Sequence, residues 1–192
     1  HRILRGGTHR PSFANVEDTG AGMLVGVDCS PSMFGANVAG SPNLNAAEVA
    51  AVMALACVKA QSNYFIGGFS GSFKPLEISP NMRLDAVLSK MRSFLWSGTD
   101  CAQPMLYAMQ QKMSNVDLFL VITDNDTNCG YMHPSQALRD YRKQYNASAK
   151  SVVIGTMASP FTIADPKDAG MMDIAGFDTA APQIIASFAT KR

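Results

Sequence analysis

Short hydrophobic runs alternate with longer amphipathic or alanine-rich segments along most of the chain. Each run has the length of a β-strand, and its unbroken apolar character is typical of a strand buried on both faces of a parallel sheet. These runs lie at residues 23–27, 64–69, 117–122, 151–154 and 171–176. A further short strand over 74–78 follows the Gly-Ser pair at 71–72, which favours an antiparallel pairing at an edge of the sheet.

The segments between these runs have helical character. We predict helices over residues 45–61, 83–92, 100–114, 134–145 and 180–190. Asn45 and Glu48 have the spacing of a capping box, Thr99 or Asp100 can cap the third helix, and Pro134 suits a first helical turn. Strands that alternate with helices predict an α/β fold, a doubly wound (Rossmann-like), mostly parallel central sheet with one antiparallel edge strand and helices on both faces.

Composition narrows the class of protein. Of 192 residues, 47% are hydrophobic and 16% are charged, against about 25% charged in typical domains, which excludes a disordered or polyelectrolyte chain. The low charge suggests that part of the surface contacts protein outside this chain. The formal net charge of +1 gives no sign of nucleic-acid binding by the whole chain.

Residues 1–20 are polar and rich in arginine and glycine, so we interpret 1–20 as a linker or N-terminal arm and 21–192 as one domain. This arm lacks the hydrophobic segment of a signal peptide, and no apolar run approaches the ~20 residues that cross a bilayer. The four cysteines have no C-x-x-C spacing, and we expect free intracellular thiols.

Candidate chemistry lies where two predicted strands end in an aspartate, Asp28 and Asp124. Ligands of doubly wound sheets bind at the carboxyl ends of the strands. The loop after the first strand reads Asp28-Cys-Ser30-Pro-Ser32, and the loop before the third predicted helix holds Thr99. Carboxylate and hydroxyl oxygens suit Mg²⁺, which takes six oxygen ligands.

Each of these motifs alone has an ordinary structural explanation. A D-x-S-x-S segment can be a serine-rich turn, Thr99 can be a helix cap, and Asp124 can be a turn former. Their coincidence in three loops at one edge of the sheet favours a site for a hard divalent cation.

These motifs, over about residues 20–192, resemble a von Willebrand factor A (vWA) domain with its metal-ion-dependent adhesion site (MIDAS). The resemblance implies that a cation, Mg²⁺ or Mn²⁺, binds at positions in three loops. Hydroxyl groups would bind it directly, the aspartates partly through water, and an acidic group of a partner would complete the coordination. The positions are Asp28, Ser30, Ser32, Thr99 and Asp124.

Further segments resemble the Ro ribonucleoprotein autoantigen (TROVE-domain) family. They are Ser12–Gly20, Gly98–Cys101, Thr123–Thr127, His133–Lys143, Phe161–Pro166 and Gly170–Asp178. The resemblance implies a non-enzymatic domain of a cytoplasmic or nuclear RNA-binding protein, with no membrane partner. In that family a separate ring of helical repeats, which is outside this chain, binds Y RNA and misfolded non-coding RNA.

Two other functions stay open at the sequence level. Asp28 could be the nucleophile of a Mg²⁺-dependent phosphotransfer enzyme, but Ser30 stands where such enzymes need a second acid. His133 is the nearest histidine along the chain to Asp124, and we interpret it as a polar residue at a helix start.

The second alternative is direct RNA binding through a basic run around the 134–145 helix. Its members are Arg139, Arg142, Lys143 and Lys150, with Tyr141 and Tyr145 interleaved. Such a run is more often a solvated helix face than an RNA site.

Overall fold

The structure is a computed structural model that describes residues 18–35, 37–38, 41–94, 98–124, 127–156, 163–176 and 180–190. Most of the predicted N-terminal arm lies outside these ranges. The end of the arm contacts the domain, because the backbone nitrogen and the hydroxyl of Thr19 donate hydrogen bonds of 3.1 and 2.7 Å to Oε1 of Gln61.

The strands and helices alternate largely as the hydrophobic pattern predicts. The strands are β1 (Met23–Asp28), β2 (Asn37–Val38), β3 (Ser41–Asn45), β4 (Tyr64–Phe69), β5 (Phe73–Pro75), β6 (Leu118–Thr123), β7 (Lys150–Gly155) and β8 (Met171–Ala175). The helices are α1 (Pro31–Gly35), α2 (Ala46–Ala60), α3 (Leu84–Arg92), α4 (Gln103–Gln110), α5 (Pro134–Gln144) and α6 (Ala181–Thr190). None of the helices in the described part of the chain has the length and hydrophobicity to cross a membrane.

Six strands form the central sheet in the order β5-β4-β1-β6-β7-β8, and β2 and β3 form a separate antiparallel pair. All neighbours in the central sheet are parallel except β5, which pairs antiparallel with β4. The predicted doubly wound sheet with one antiparallel edge strand is therefore confirmed. The chain passes from β1 to β4 on one side and later to β6 on the other, so the strand order reverses at β1.

Both faces of the sheet are covered, which explains the unbroken apolar strands. Val25 of β1 and Leu120 of β6 pack on the same side as α2, whereas Leu24 and Phe119 pack on the side of α4 and α5. Successive residues of a strand point to opposite faces, so β1 and β6, which are buried along their whole length, carry apolar residues on both faces.

Local signals in the sequence fix some helix ends. Asn45 accepts a hydrogen bond from the backbone nitrogen of Glu48, and the Glu48 carboxylate accepts one from the backbone of Asn45, which confirms the capping box. The prediction for the third helix is wrong at its start, because α4 begins at Gln103 with Ala102 at the N-cap. The short elements α1, β2 and β3 have too few residues to produce a periodic pattern, and the sequence does not predict them.

Candidate metal-binding site

Asp28 is the last residue of β1, and its side chain is buried. Its Oδ1 accepts a hydrogen bond of 2.8 Å from the backbone nitrogen of Ser30. Its Oδ2 accepts one of 2.8 Å from the hydroxyl of Thr123, at the end of the neighbouring strand β6. Both carboxylate oxygens are thus held in place, one by the loop after β1 and one by β6.

The two serines of the D-x-S-x-S loop lie side by side. The Oγ atoms of Ser30 and Ser32 are 3.0 Å apart, with Ser30 buried and Ser32 exposed at the start of α1. Neighbouring oxygens around an octahedral Mg²⁺ ion at 2.0–2.1 Å are separated by about 2.9 Å. The spacing of the two hydroxyls therefore fits two adjacent positions around one such ion.

Asp124 follows β6 and is also buried. Burial raises the pKa of Asp28 from 3.8 to about 6, its hydrogen bonds with Ser30 and Thr123 oppose the rise, and the Asp124 carboxylate adds to it. Among the described residues, none of the groups that shift this pKa is a cation. The Asp124 carboxylate thus disfavours the charged form of Asp28, and a bound divalent cation would relieve that repulsion.

Thr99 is buried in the loop before α4 and is tied to the loop after β6. Its backbone nitrogen donates a 2.9 Å hydrogen bond to Oδ1 of Asn128, and its carbonyl accepts bonds from the backbone nitrogens of Asn128 and Cys129. The backbone of Thr99 is thus joined to another loop, which explains why it does not cap α4. These bonds bring the Thr99 loop to the end of the sheet that holds Asp28 and Asp124.

Asp100, which the sequence predicts only as a possible helix cap, stabilises this arrangement. Its buried carboxylate accepts hydrogen bonds from the backbone nitrogen of Ala102 at 3.0 Å and from Nε2 of Gln103 at 2.8 Å. Gly130 lies against it with a φ of +95°, and a Cβ atom there would come within 2.5 Å of the carboxyl carbon. In the sequence, the glycine of the Cys-Gly pair at 129–130 is the feature that could have indicated this close approach.

The donor set fits a hard divalent cation. The described residues hold no cluster of three or more His, Cys, Asp or Glu side chains suited to a metal, so a site here would depend on hydroxyl oxygens. Carboxylates and hydroxyls are the oxygen ligands that Mg²⁺ and Mn²⁺ accept. The neighbouring positions 95–97 and 125–126 lie outside the described residues.

The basic run is engaged in intramolecular contacts. Arg139 pairs with Asp165 at 3.2 Å, and Arg142 pairs with Asp168 at 2.5 Å while its Nε donates to the Ala149 carbonyl at 2.6 Å. Lys143 pairs with Asp140, and Lys150 donates to the Phe188 carbonyl. Tyr141 is buried, and Tyr145 stacks on it. The aspartate partners neutralise much of the positive charge that binding to RNA phosphates would require.

His133 is the N-cap of α5. Its ring nitrogen accepts a hydrogen bond from the backbone nitrogen of Ser135 and lies 2.9 Å from the Ser135 hydroxyl. This confirms the interpretation of His133 as a polar residue at a helix start.

The four cysteines are free thiols, as predicted. Cys29, Cys57 and Cys101 are buried, and burial raises the pKa of each, that of Cys57 to about 12. Cys129 is exposed beside the Thr99 loop, and its pKa is raised by partial burial and by the Asp100 carboxylate.

The parallel sheet, its helices on both faces and the D-x-S-x-S loop at the strand-order reversal define a vWA domain. The Ro60 vWA domain family matches residues 22–189, and the chain belongs to that family.

Relatives of this chain are RNA-binding proteins named RO60. The chain is 39% identical over 178 residues to the RO60 protein of Deinococcus radiodurans and 34% identical over 180 residues to that of Caenorhabditis elegans. Each match covers 93% of this chain but 33% and 28% of those proteins, so the chain spans about a third of their length. The crystal structure of the Deinococcus radiodurans Ro (RSR) protein matches with a TM-score of 0.83 and 40% identity, over 92% of this chain and 36% of that one.

More distant structures share the fold. Proximal thread matrix protein 1 from the mussel byssus, with a zinc-occupied MIDAS motif, has a TM-score of 0.61 at 11% identity, over 90% of this chain and 48% of its own. The manganese-loaded TRAP protein of Plasmodium vivax has a TM-score of 0.52 at 12% identity, over 91% of this chain and 76% of its own. At these identities the likeness concerns the fold.

Proposed function

We propose that this chain is a non-enzymatic, metal-dependent binding module of a Ro-type RNA-binding protein. Through Mg²⁺ or Mn²⁺ it captures an acidic group of a protein or other ligand. Ser30, Ser32 and Thr99 would hold the cation through their hydroxyls, with Asp28 and Asp124 supplying the negative charge. The observation that carries the proposal is the buried Asp28 carboxylate beside the Ser30–Ser32 hydroxyl pair, 3.0 Å apart.

The charge of this donor set explains why the module would bind acids. The two carboxylates formally balance the charge of a divalent cation, and the three hydroxyls are neutral. Because the aspartates would contact the ion partly through water, the ion could still accept one more ligand. A carboxylate from a partner satisfies that position without displacing the protein's own hydroxyls. Asp28 is fixed by Ser30 and Thr123, so the site is organised before the ligand arrives.

The same geometry supports binding over phosphotransfer. Ser30 occupies the position where a general acid would stand, and its hydroxyl contacts that of Ser32. His133, the nearest histidine along the chain to Asp124, caps α5. The domain would therefore hold a ligand without converting it.

RNA recognition belongs, in this proposal, to the remainder of the parent protein. The relatives of this chain that are named RNA-binding protein are about three times longer than the segment that matches it. A helical-repeat ring of the parent would bind Y RNA and misfolded RNA in the cytoplasm or nucleus, and the vWA domain would add a metal-dependent contact to a second partner.

A titration of Mn²⁺ followed by electron paramagnetic resonance tests the proposal, because bound Mn²⁺ loses the sharp signal of the free ion. We expect one site in the wild-type chain and at least tenfold weaker binding in Asp28→Asn and Thr99→Val. Asp85→Asn, which removes one negative charge from the exposed side of α3, is the matched control and should bind like wild type. Equal binding by wild type and Asp28→Asn would refute the proposed site.

A further inference from the structure

An aromatic groove runs beside the candidate metal site, on the side of the sheet that carries α4. Its floor holds Phe73 and Tyr107, whose ring centroids lie 4.6 Å apart, and Tyr107 also stacks on Phe65 at 5.6 Å. The rim is Tyr131, whose side chain is 83% exposed. The groove has a volume of about 420 Å³, within the range of small-ligand and side-chain pockets.

Hydrogen bonds join this groove to the Thr99 loop. Gln103, which lines the groove, donates to the Asp100 carboxylate next to Thr99. On the other side, the backbone nitrogen of Cys129 donates to the Thr99 carbonyl, and Tyr131 stands two residues further along the same loop. Two residues span at most about 7 Å, so the groove begins within roughly 10 Å of the Thr99 carbonyl.

The residue before the exposed Tyr131 is in contact with the Asp100 carboxylate. Gly130 packs on the Asp100 carboxylate in a left-handed conformation, and this fixes the direction in which the loop leaves for Tyr131. An exposed tyrosine beside a pair of aromatic rings suits a recognition surface, since aromatic side chains are enriched at binding hot spots.

We propose that this groove binds an aromatic or large aliphatic side chain of a peptide segment whose acidic residue, two to four positions away, occupies the metal site. The inference rests on the proposed function and adds the class of ligand. An extended segment advances about 3.3 Å per residue, so this spacing covers the distance from Thr99 to the groove.

The charge of the groove favours a peptide over RNA as the occupant. The groove is lined by uncharged side chains, Ser72, Phe73, Gln103, Leu106, Tyr107 and Tyr131 among them. A nucleic-acid strand draws its affinity from Lys and Arg contacts to successive phosphates. The cations of α5 that could supply such contacts are paired with aspartates.

Selection from a random peptide phage library tests the inference. The 192-residue chain is panned in Mn²⁺, and bound phage are eluted with EDTA. We expect the selected peptides to share an acidic residue with an aromatic or large aliphatic residue two to four positions away. Tyr131→Ser should weaken a selected peptide about tenfold and leave its binding sensitive to EDTA. Ile184→Ser, which removes an exposed hydrophobic side chain from α6, is the matched control and should bind like wild type.

The possible failures are distinguishable. Absence of any EDTA-sensitive peptide would contradict the proposed function, and with it this inference. Acidic peptides without an apolar preference, or binding unchanged by Tyr131→Ser, would refute the groove and leave the metal site standing. Two further results would assign the groove to another occupant and overturn the inference. One is selection of sequences from a random single-stranded RNA pool that depends on Tyr131. The other is a Mn²⁺-dependent dimer that Tyr131→Ser abolishes.

Discussion

The hydroxyl of Thr123 donates a hydrogen bond of 2.8 Å to Oδ2 of Asp28, and this bond joins the carboxyl ends of β6 and β1 inside the protein. The two strands meet where the strand order reverses, so the bond fixes the Asp28 carboxylate at the end of the sheet where doubly wound folds bind ligands. Thr123 contacts Asp28 rather than the proposed ion and is therefore a positioning residue.

Thr123→Val keeps the shape of the side chain and removes that donor. We expect the free energy of unfolding in EDTA to fall by about 1–3 kcal/mol, because a buried carboxylate oxygen loses its partner. Urea denaturation followed by circular dichroism measures the change. Thr190→Val, near the exposed end of α6, should change it by less than about 0.5 kcal/mol. Equal stabilities of the two variants would show that the Thr123–Asp28 bond contributes little.

The raised pKa of Asp28 predicts how the stability of the metal-free domain depends on pH. Asp28 titrates near 3.8 when unfolded and near 6 when folded, chiefly because of burial, so the folded state holds a proton that the unfolded state releases. The contribution of Asp28 is fully present below about pH 4 and is lost as the pH rises through about 6. The loss is on the order of 3 kcal/mol.

The difference in unfolding free energy between wild type and Asp28→Asn, measured in EDTA from pH 4 to pH 7, isolates this contribution from that of other carboxyl groups. Wild type should lose stability relative to the variant across that range. A difference that is constant with pH would mean that burial does not shift the pKa of Asp28.

Much of the fold follows from the sequence because it depends on local patterns. The unbroken apolar run of β6 and the Asn45–Glu48 capping box each specify structure within a few residues. Thr123 contacts Asp28, 95 positions away in the chain, and Cys101, 22 positions away. Asp100 lies against Gly130, a glycine of another loop. No periodic pattern in the sequence encodes such contacts. The predicted start of α4 is wrong for the same reason, because the backbone of Thr99 pairs with Asn128 and Cys129 of another loop.

Cysteine accessibility predicts a single reactive thiol. Cys129 is exposed and the other three cysteines are buried, so a thiol-reactive disulfide reagent should modify one group rapidly in the native chain and all four after denaturation. Because its pKa is raised, Cys129 should react more slowly at pH 8 than a free cysteine. Cys129→Ser should remove the rapid phase. Two or more rapidly reacting thiols in native wild type would contradict the burial of Cys29, Cys57 and Cys101.

Pairing of the α5 cations predicts weak RNA binding by this chain alone. Arg139 and Arg142 lie against Asp165 and Asp168, which leaves little net positive charge on that face. A gel shift with a structured RNA at low salt should show no complex at micromolar protein. A complex whose affinity falls steeply with salt, and which Arg139→Gln weakens, would instead favour a direct RNA site on this domain.

Anomalous diffraction from crystals of the chain soaked in Mn²⁺ tests the central claim most directly, because it locates the metal itself. The account predicts one strong anomalous peak enclosed by the hydroxyl oxygens of Ser30, Ser32 and Thr99, with Asp28 and Asp124 beside it, and no such peak in Asp28→Asn. A peak bound by other residues, or none at this end of the sheet in well-ordered wild-type crystals, would contradict it.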